Sequence, residues 1–181
     1  GTALPAGVHW YDPEAHELVR IGPPPRGGAV TVVSTGVPWR TGWRYRERGY
    51  RHVYWDSGTM LSQLLAAAAS AGIEAELYTR FPDAQVTALV GADGVHEWPV
   101  AVVALGGGPP ALERSGAPAV GAVDADPVEF PLATEAQRAG DRDELGEPWP
   151  AGEAVEVSLL ESPPVETVVL SRSSQRRMDA S

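Results

Sequence analysis

Between positions 40 and 51 the chain reads RTGWRYRERGYR. Arg40, Arg44, Arg46, Arg48 and Arg51 alternate there with Trp43, Tyr45 and Tyr50, and Trp39, Tyr54 and Trp55 extend the aromatic series. Guanidinium groups beside aromatic faces can hold a nucleic acid or a planar anionic ligand through stacking and charge. The same pattern also suits an amphipathic segment whose arginines stack at its rim. A second cluster closes the chain, LSRSSQRRMDAS, where Arg172, Arg176 and Arg177 stand among serines. Guanidinium and hydroxyl donors make charge-assisted bonds to phosphate oxygens. By itself that ending is either a solvated basic tail or the front of another folded unit.

Composition narrows the chemistry. The net charge is -10, so a general nucleic-acid surface, which must be basic, is not expected. All 14 basic residues are Arg, so no lysine Schiff base can form. The absence of Cys removes thiolate catalysis and zinc-thiolate sites, and it fits a reducing, cytoplasmic compartment. No apolar run reaches the ~18 residues of a membrane span, so no membrane partner is expected. Gly106-Gly107-Gly108 is followed by Pro-Pro rather than Lys-Ser/Thr, which reads as a turn and not a phosphate loop. His9 and His16 flank Asp12 and Glu14, but the better reading is a solvated hairpin end, and no metal site is expected.

A length of 181 residues fits one domain or a domain with an extension. Residues 7–11 and 17–21 form two β-like runs around a Pro-containing turn, a hairpin pattern. Residues 29–34, 74–79 and 98–105 read as strands. The best helix is DSGTMLSQLLAAAASA at 56–71, capped by Asp56 or Ser57 and ended by Gly72, with a backward extension through 50–55 left open. Its alanines, Ala66 to Ala69, allow another backbone close, as in a buried central helix or a subunit interface. A short helix is expected at 82–90 and another from 162, with Arg172 on or just after its last turn. Residues 124–166 hold 12 of the 24 acids with two arginines and much Pro, Ala and Gly, and read as a linker or loose excursion.

RTGWRYRERGYRHVYWDSGTMLSQLLAAAASAGIEAELYTRFPDAQVTALVGADGVHEWPVAVVALGGGP resembles the second half of a nitroreductase-like domain, nearest to the SagB-type azoline dehydrogenases. That family runs R-T-x-W-K-Y-x-x-R-x-Y-R, then D-A-G-H-x-x-Q-N and an Ala-rich helix, then strand, short helix and strand. LPAGVHWYDPEAHELVRI is similar to the family's preceding hairpin, so the resemblance covers about residues 4–110. It implies an α+β, nitroreductase-like fold, incomplete here, with a central mixed or antiparallel sheet and a buried Ala-rich helix. It implies FMN as cofactor and an FMN-dependent oxidoreductase acting on azoline rings of a ribosomal peptide natural product, or on a related small substrate. Arg44 and Tyr45 stand at the family's catalytic Lys-Tyr pair, and Gln63 and Thr79 at flavin-facing positions. The departures are Arg44 for Lys, Thr59 for His, Leu64 for Asn and Thr79 for a glycine.

VETVVLSRSSQRRMDAS resembles the opening of such a domain, whose arginine motif holds the FMN phosphate. The resemblance assigns Arg172, Ser174, Arg176 and Arg177 to that role, with Ser171 where the family's first Arg often stands. The expected organisation is a C-terminal half-domain at 1–115, an acidic linker at 116–160, and the start of a second domain at 161–181. A circular permutation is the lesser alternative. The implied assembly is a homodimer or a tandem pseudo-dimer, with a peptide substrate. The alternative function is a flavin-free scaffold or peptide-binding partner domain.

Overall fold

A computed structural model describes residues 4–116, 126–152 and 163–173. The chain opens with the expected hairpin, β1 (Val8–Asp12) and β2 (Glu17–Gly22), paired antiparallel. Asp12 closes its turn by accepting the backbone N–H groups of Glu14 and Ala15 at 2.8 and 3.2 Å.

A separate antiparallel sheet has the order β3 (Val30–Gly36), β5 (Trp98–Leu105), β4 (Ala75–Tyr78). Its central strand comes last in sequence. Every residue of β5 but Leu105 is buried, which explains its continuous apolar run. Pro99 cannot donate to a ladder, and it sits where the β3 register shifts between Ser34 and Thr35.

Two helical layers cover this sheet. Tyr78, Phe81, Val86, Leu89, Val102, Ala104 and Leu112 pack between one sheet face and α3 (Asp83–Val90). The other face, with Ala101 and Val103, receives α2 (Gly49–Ser70). Gly49, Val53, Ser57, Leu61 and Ala68 are its buried positions, spaced i, i+4, i+8, i+12 and i+19, which is one helical face. Full burial of Val86, Val102 and Val103 contributes about 1.5–3 kcal/mol each. The Ala-rich helix is therefore buried on one side, with Ala67 and Ala69 exposed.

The helix does not begin at Asp56 or Ser57. A first helix, α1 (Trp39–Tyr45), breaks at Arg46, whose φ is 52°, and a 3-10 turn (Arg46–Arg48) feeds directly into Gly49. Arg48 is already in helical conformation, so nothing interrupts the ladder before Asp56. The other end is as expected. Gly72 has φ 68°, and Ile73 N–H bonds Ala68 C=O while Gly72 N–H bonds Ala69 C=O, a Schellman closure.

The reading of 124–166 as a loose excursion needs correction. Residues 131–138 form α4 (Pro131–Arg138), with Ala133, Thr134 and Gln137 buried. Phe130 lies against Gly42, where a Cβ would collide with its ring. Arg142 N–H donates to Asp83 Oδ2 at 2.8 Å, Gly146 N–H to Arg80 C=O at 3.0 Å, and Trp149 N–H to Leu77 C=O at 2.6 Å. Residues 126–149 thus strap the domain from α1 to the β4 edge. Apart from the Phe130 ring, small side chains and backbone N–H groups make these contacts, so hydropathy does not reveal them. Finally, α5 (Val165–Ser171) packs against α2, and Arg172 follows its last turn.

Candidate functional site

The arginine-rich turn forms an exposed face where α1 meets α2. Tyr45 is half-buried, and its ring stacks on His52 with centroids 4.1 Å apart and 15° between planes. The guanidinium carbons of Arg48 and Arg44 lie 5.5 and 5.9 Å from the Tyr45 centroid. Trp55 continues the group, 5.0 Å from His52. His52 Nδ1 lies 3.3 Å from the Arg48 carbonyl, which can only accept, so Nδ1 carries the proton there and Nε2 is the second ring position. No hydrogen bond engages the Tyr45 hydroxyl among the described residues, which leaves a donor or acceptor beside two fixed cations. Arg44 itself stays charged and cannot serve as a proton-transfer base.

Tyr54, nine residues beyond Tyr45 and on α2, has the opposite fate. Its hydroxyl bonds Gln137 Oε1, and its ring meets Tyr50 edge-on at 5.1 Å. Burial first, and then the neighbouring Tyr50 hydroxyl, pushes its pKa up, so it stays protonated and donates. Glu47 likewise accepts the Ala133 N–H at 2.9 Å and so anchors α4.

Arg44 and Tyr45 are brought together with Trp55, one of the aromatic residues of the same stretch, and with His52, which stands alone in the sequence. The signal was available: His52 and Trp55 follow Arg48 at i+4 and i+7. Gln63 is exposed on α2, 11 residues beyond His52, or about 16 Å along the axis. Leu64 turns inward and packs against the cluster of Leu61, Ala101 and Val103. Thr79 is exposed just after β4, and no hydrogen bond among the described residues joins it to Gln63 or Tyr45. Arg172 is exposed after α5, while Ser174, Arg176 and Arg177 lie outside the described residues. These described positions do not by themselves make a flavin cradle, because Leu64 faces the core and Gln63 is remote from Tyr45.

Elsewhere, a cavity of about 160 Å³ opens between α3, α4 and the start of β5, lined by Asp83, Asp93, Asp141, Gln137 and Trp98 among others. Burial raises the Asp83 and Asp141 pKa values. For Asp93, burial opposes ionisation, but the N–H groups of Val95, His96 and Glu97 and the His96 ring outweigh it and hold the pKa at about 2. The indole N–H groups of Trp39 and Trp98 are buried without acceptors among the described residues.

The sequence pattern of the nitroreductase family matches residues 12–107, just over half of the chain. The chain belongs to the nitroreductase family. Its fold is also similar to a crystal structure of a protein from Anabaena variabilis described as a nitroreductase. The TM-score is 0.58 at 21% identity, over 78% of this chain and 34% of that one, so the likeness concerns fold. This nitroreductase-family chain spans about a third of the length of that protein. A search of curated proteins found no match. The matched segment includes the hairpin turn, the Arg44–Tyr45 face and all three strands of the central sheet, while the strap at 126–149 lies beyond it.

Proposed function

We propose that this chain supplies the Arg44–Tyr45 part of an FMN-dependent oxidoreductase of SagB type. Its substrate is an azoline ring in a ribosomal peptide natural product, or a related small molecule. The observation that carries the reading is the half-buried Tyr45, whose ring lies against His52, Arg44 and Arg48 and whose hydroxyl has no hydrogen bond among the described residues. Tyr45 is then the proton-handling group, and the arginines hold negative charge beside it. The flavin's phosphate falls to Arg172, Ser174, Arg176 and Arg177 at the front of a second domain. The rest of its cradle comes from parts of a longer protein, as a tandem pseudo-dimer or a homodimer. Because residues 126–149 belong to the first folded unit, the linker between units is shorter than 116–160.

The visible spectrum of the full-length protein tests this. Bound flavin absorption, lost on Arg176→Ala, is the expected result. Flavin absorption unchanged by Arg176→Ala removes the phosphate assignment. A second reading, a flavin-free scaffold or peptide-binding partner, is favoured by one observation: Leu64, at the family's Asn position, is committed to the core. Absence of flavin absorption even after reconstitution with FMN selects that reading.

A further inference from the structure

Five arginines between positions 40 and 51 have no ion-pair partner among the described residues, where the ion pairs are Arg26–Glu113 and Asp93–His96. The one acid in that stretch, Glu47, is engaged at α4. No acid stands in the first turn of α2. Arg48, in helical conformation just before α2, and Arg51, Trp55, Thr59 and Ser62 on α2 fall on the side opposite the buried Val53, Ser57 and Leu61. At 100° per residue, Trp55 falls between Arg48 and Arg51 around the helix. Asp56 lies on the other side of this stripe, about 140° from Arg51. Trp55 is 61% exposed and is braced on one side by His52. The stripe is cationic at its start and neutral beyond Trp55, where Thr59, Ser62 and Gln63 follow.

We propose that this face binds a planar aromatic carboxylate, its ring stacked on Trp55 and its carboxylate held by Arg48 and Arg51. A planar ring matches the exposed indole, and two guanidinium forks match a carboxylate better than a phenol or an amine. A nucleic acid fits less well, because the charge around the stripe totals five cations on a chain of net charge -10. As a binding site the face stands on its own geometry. As a substrate class it rests on the reading of Tyr45 as the reacting neighbour.

Calorimetric titration of the full-length protein with 2-naphthoate and with its neutral analogue 2-naphthamide tests the proposal. Naphthoate is expected to bind about tenfold more tightly than naphthamide, with an advantage that shrinks as salt is added. Arg48→Gln and Arg51→Gln are expected to reduce that advantage, while Trp55→Ala weakens both probes and Trp55→Phe restores them. Equal affinity for the two probes overturns the proposal. So does naphthoate binding that both arginine variants leave unchanged, or failure of either probe to bind, which means that another surface covers Trp55. Flavin absorption with no preference between the probes sinks this inference alone. Naphthoate preference in a protein that takes no flavin sinks the oxidoreductase reading alone.

Discussion

The arginine turn at 40–51 and the strap at 126–149 use their polar groups in opposite ways. In the strap, polar groups bond back to the fold: Arg142 to Asp83, Gln137 to Tyr54, and the start of α4 to Glu47. In the turn, all five arginines are exposed on α1, the start of α2 and the link between them, beside a tyrosine hydroxyl with no bond among the described residues. Tyr45 and Tyr54 state the contrast most simply, since they are nine residues apart and only Tyr54 is tied down. A polar group bonded within the fold stabilises it, whereas one left unbonded on a rigid helix is available to a ligand.

That contrast can be broken at several points. Phe130→Ala should cost about 2–3 kcal/mol in urea unfolding, because the ring fills the space above Gly42 and anchors α4. Hydrogen exchange should quicken in α4 while β5 keeps its protection. An unchanged midpoint would show that the strap is not part of the cooperative unit. Glu47→Ala should cost about 1 kcal/mol by removing the carboxylate acceptor at the start of α4 and leaving the Ala133 N–H only the Phe130 carbonyl, with Glu47→Gln recovering part of it. Equal losses in the two variants would point to charge rather than the acceptor.

A smaller effect depends on pH. The Asp93 pKa is about 2 in the folded protein against 3.8 for the unperturbed group, so its stabilisation is present above pH 4 and is lost as pH falls through 2. Asp93→Asn should therefore be less stable than the parent at pH 7, with the two melting curves converging near pH 2. A deficit that persists at pH 2 would exclude ionisation as its source. The smallest effect belongs to the turn. Arg40→Gln and Arg44→Gln should each move stability by less than about 0.5 kcal/mol in the same urea assay. A larger loss would mean that these arginines serve the fold after all.

Local signals carried most of the elements. The hairpin turn at Asp12-Pro13, the β-branched run of β3, the apolar run of β5 and the Gly72 stop were all legible because neighbouring residues produce them. The start of α2 was displaced because capping residues at 56 and 57 looked like a beginning, whereas the chain had already turned helical at Arg48. The strap was missed because its inward residues, Ala133, Thr134 and Gln137, have little apolar bulk. Pro131 after Phe130 was the available helix-start signal. At the candidate site, Arg44 and Tyr45 were legible as a pair. The stacking of His52 depends on the bend at Arg46, and a positive φ at an arginine has no sequence signature.

The position of β5 has a consequence for how the chain is made. On the ribosome, β3 and β4 emerge first, yet neither hydrogen-bonds the other. Both wait with open edges for a central strand that begins at Trp98, some sixty residues after β3 ends. Such non-local pairing slows folding, and unpaired apolar strands recruit one another between nascent chains. Synthesis that stalls before residue 98 therefore releases a product with two unmated strands, one that calls for chaperone protection rather than one that is merely shorter.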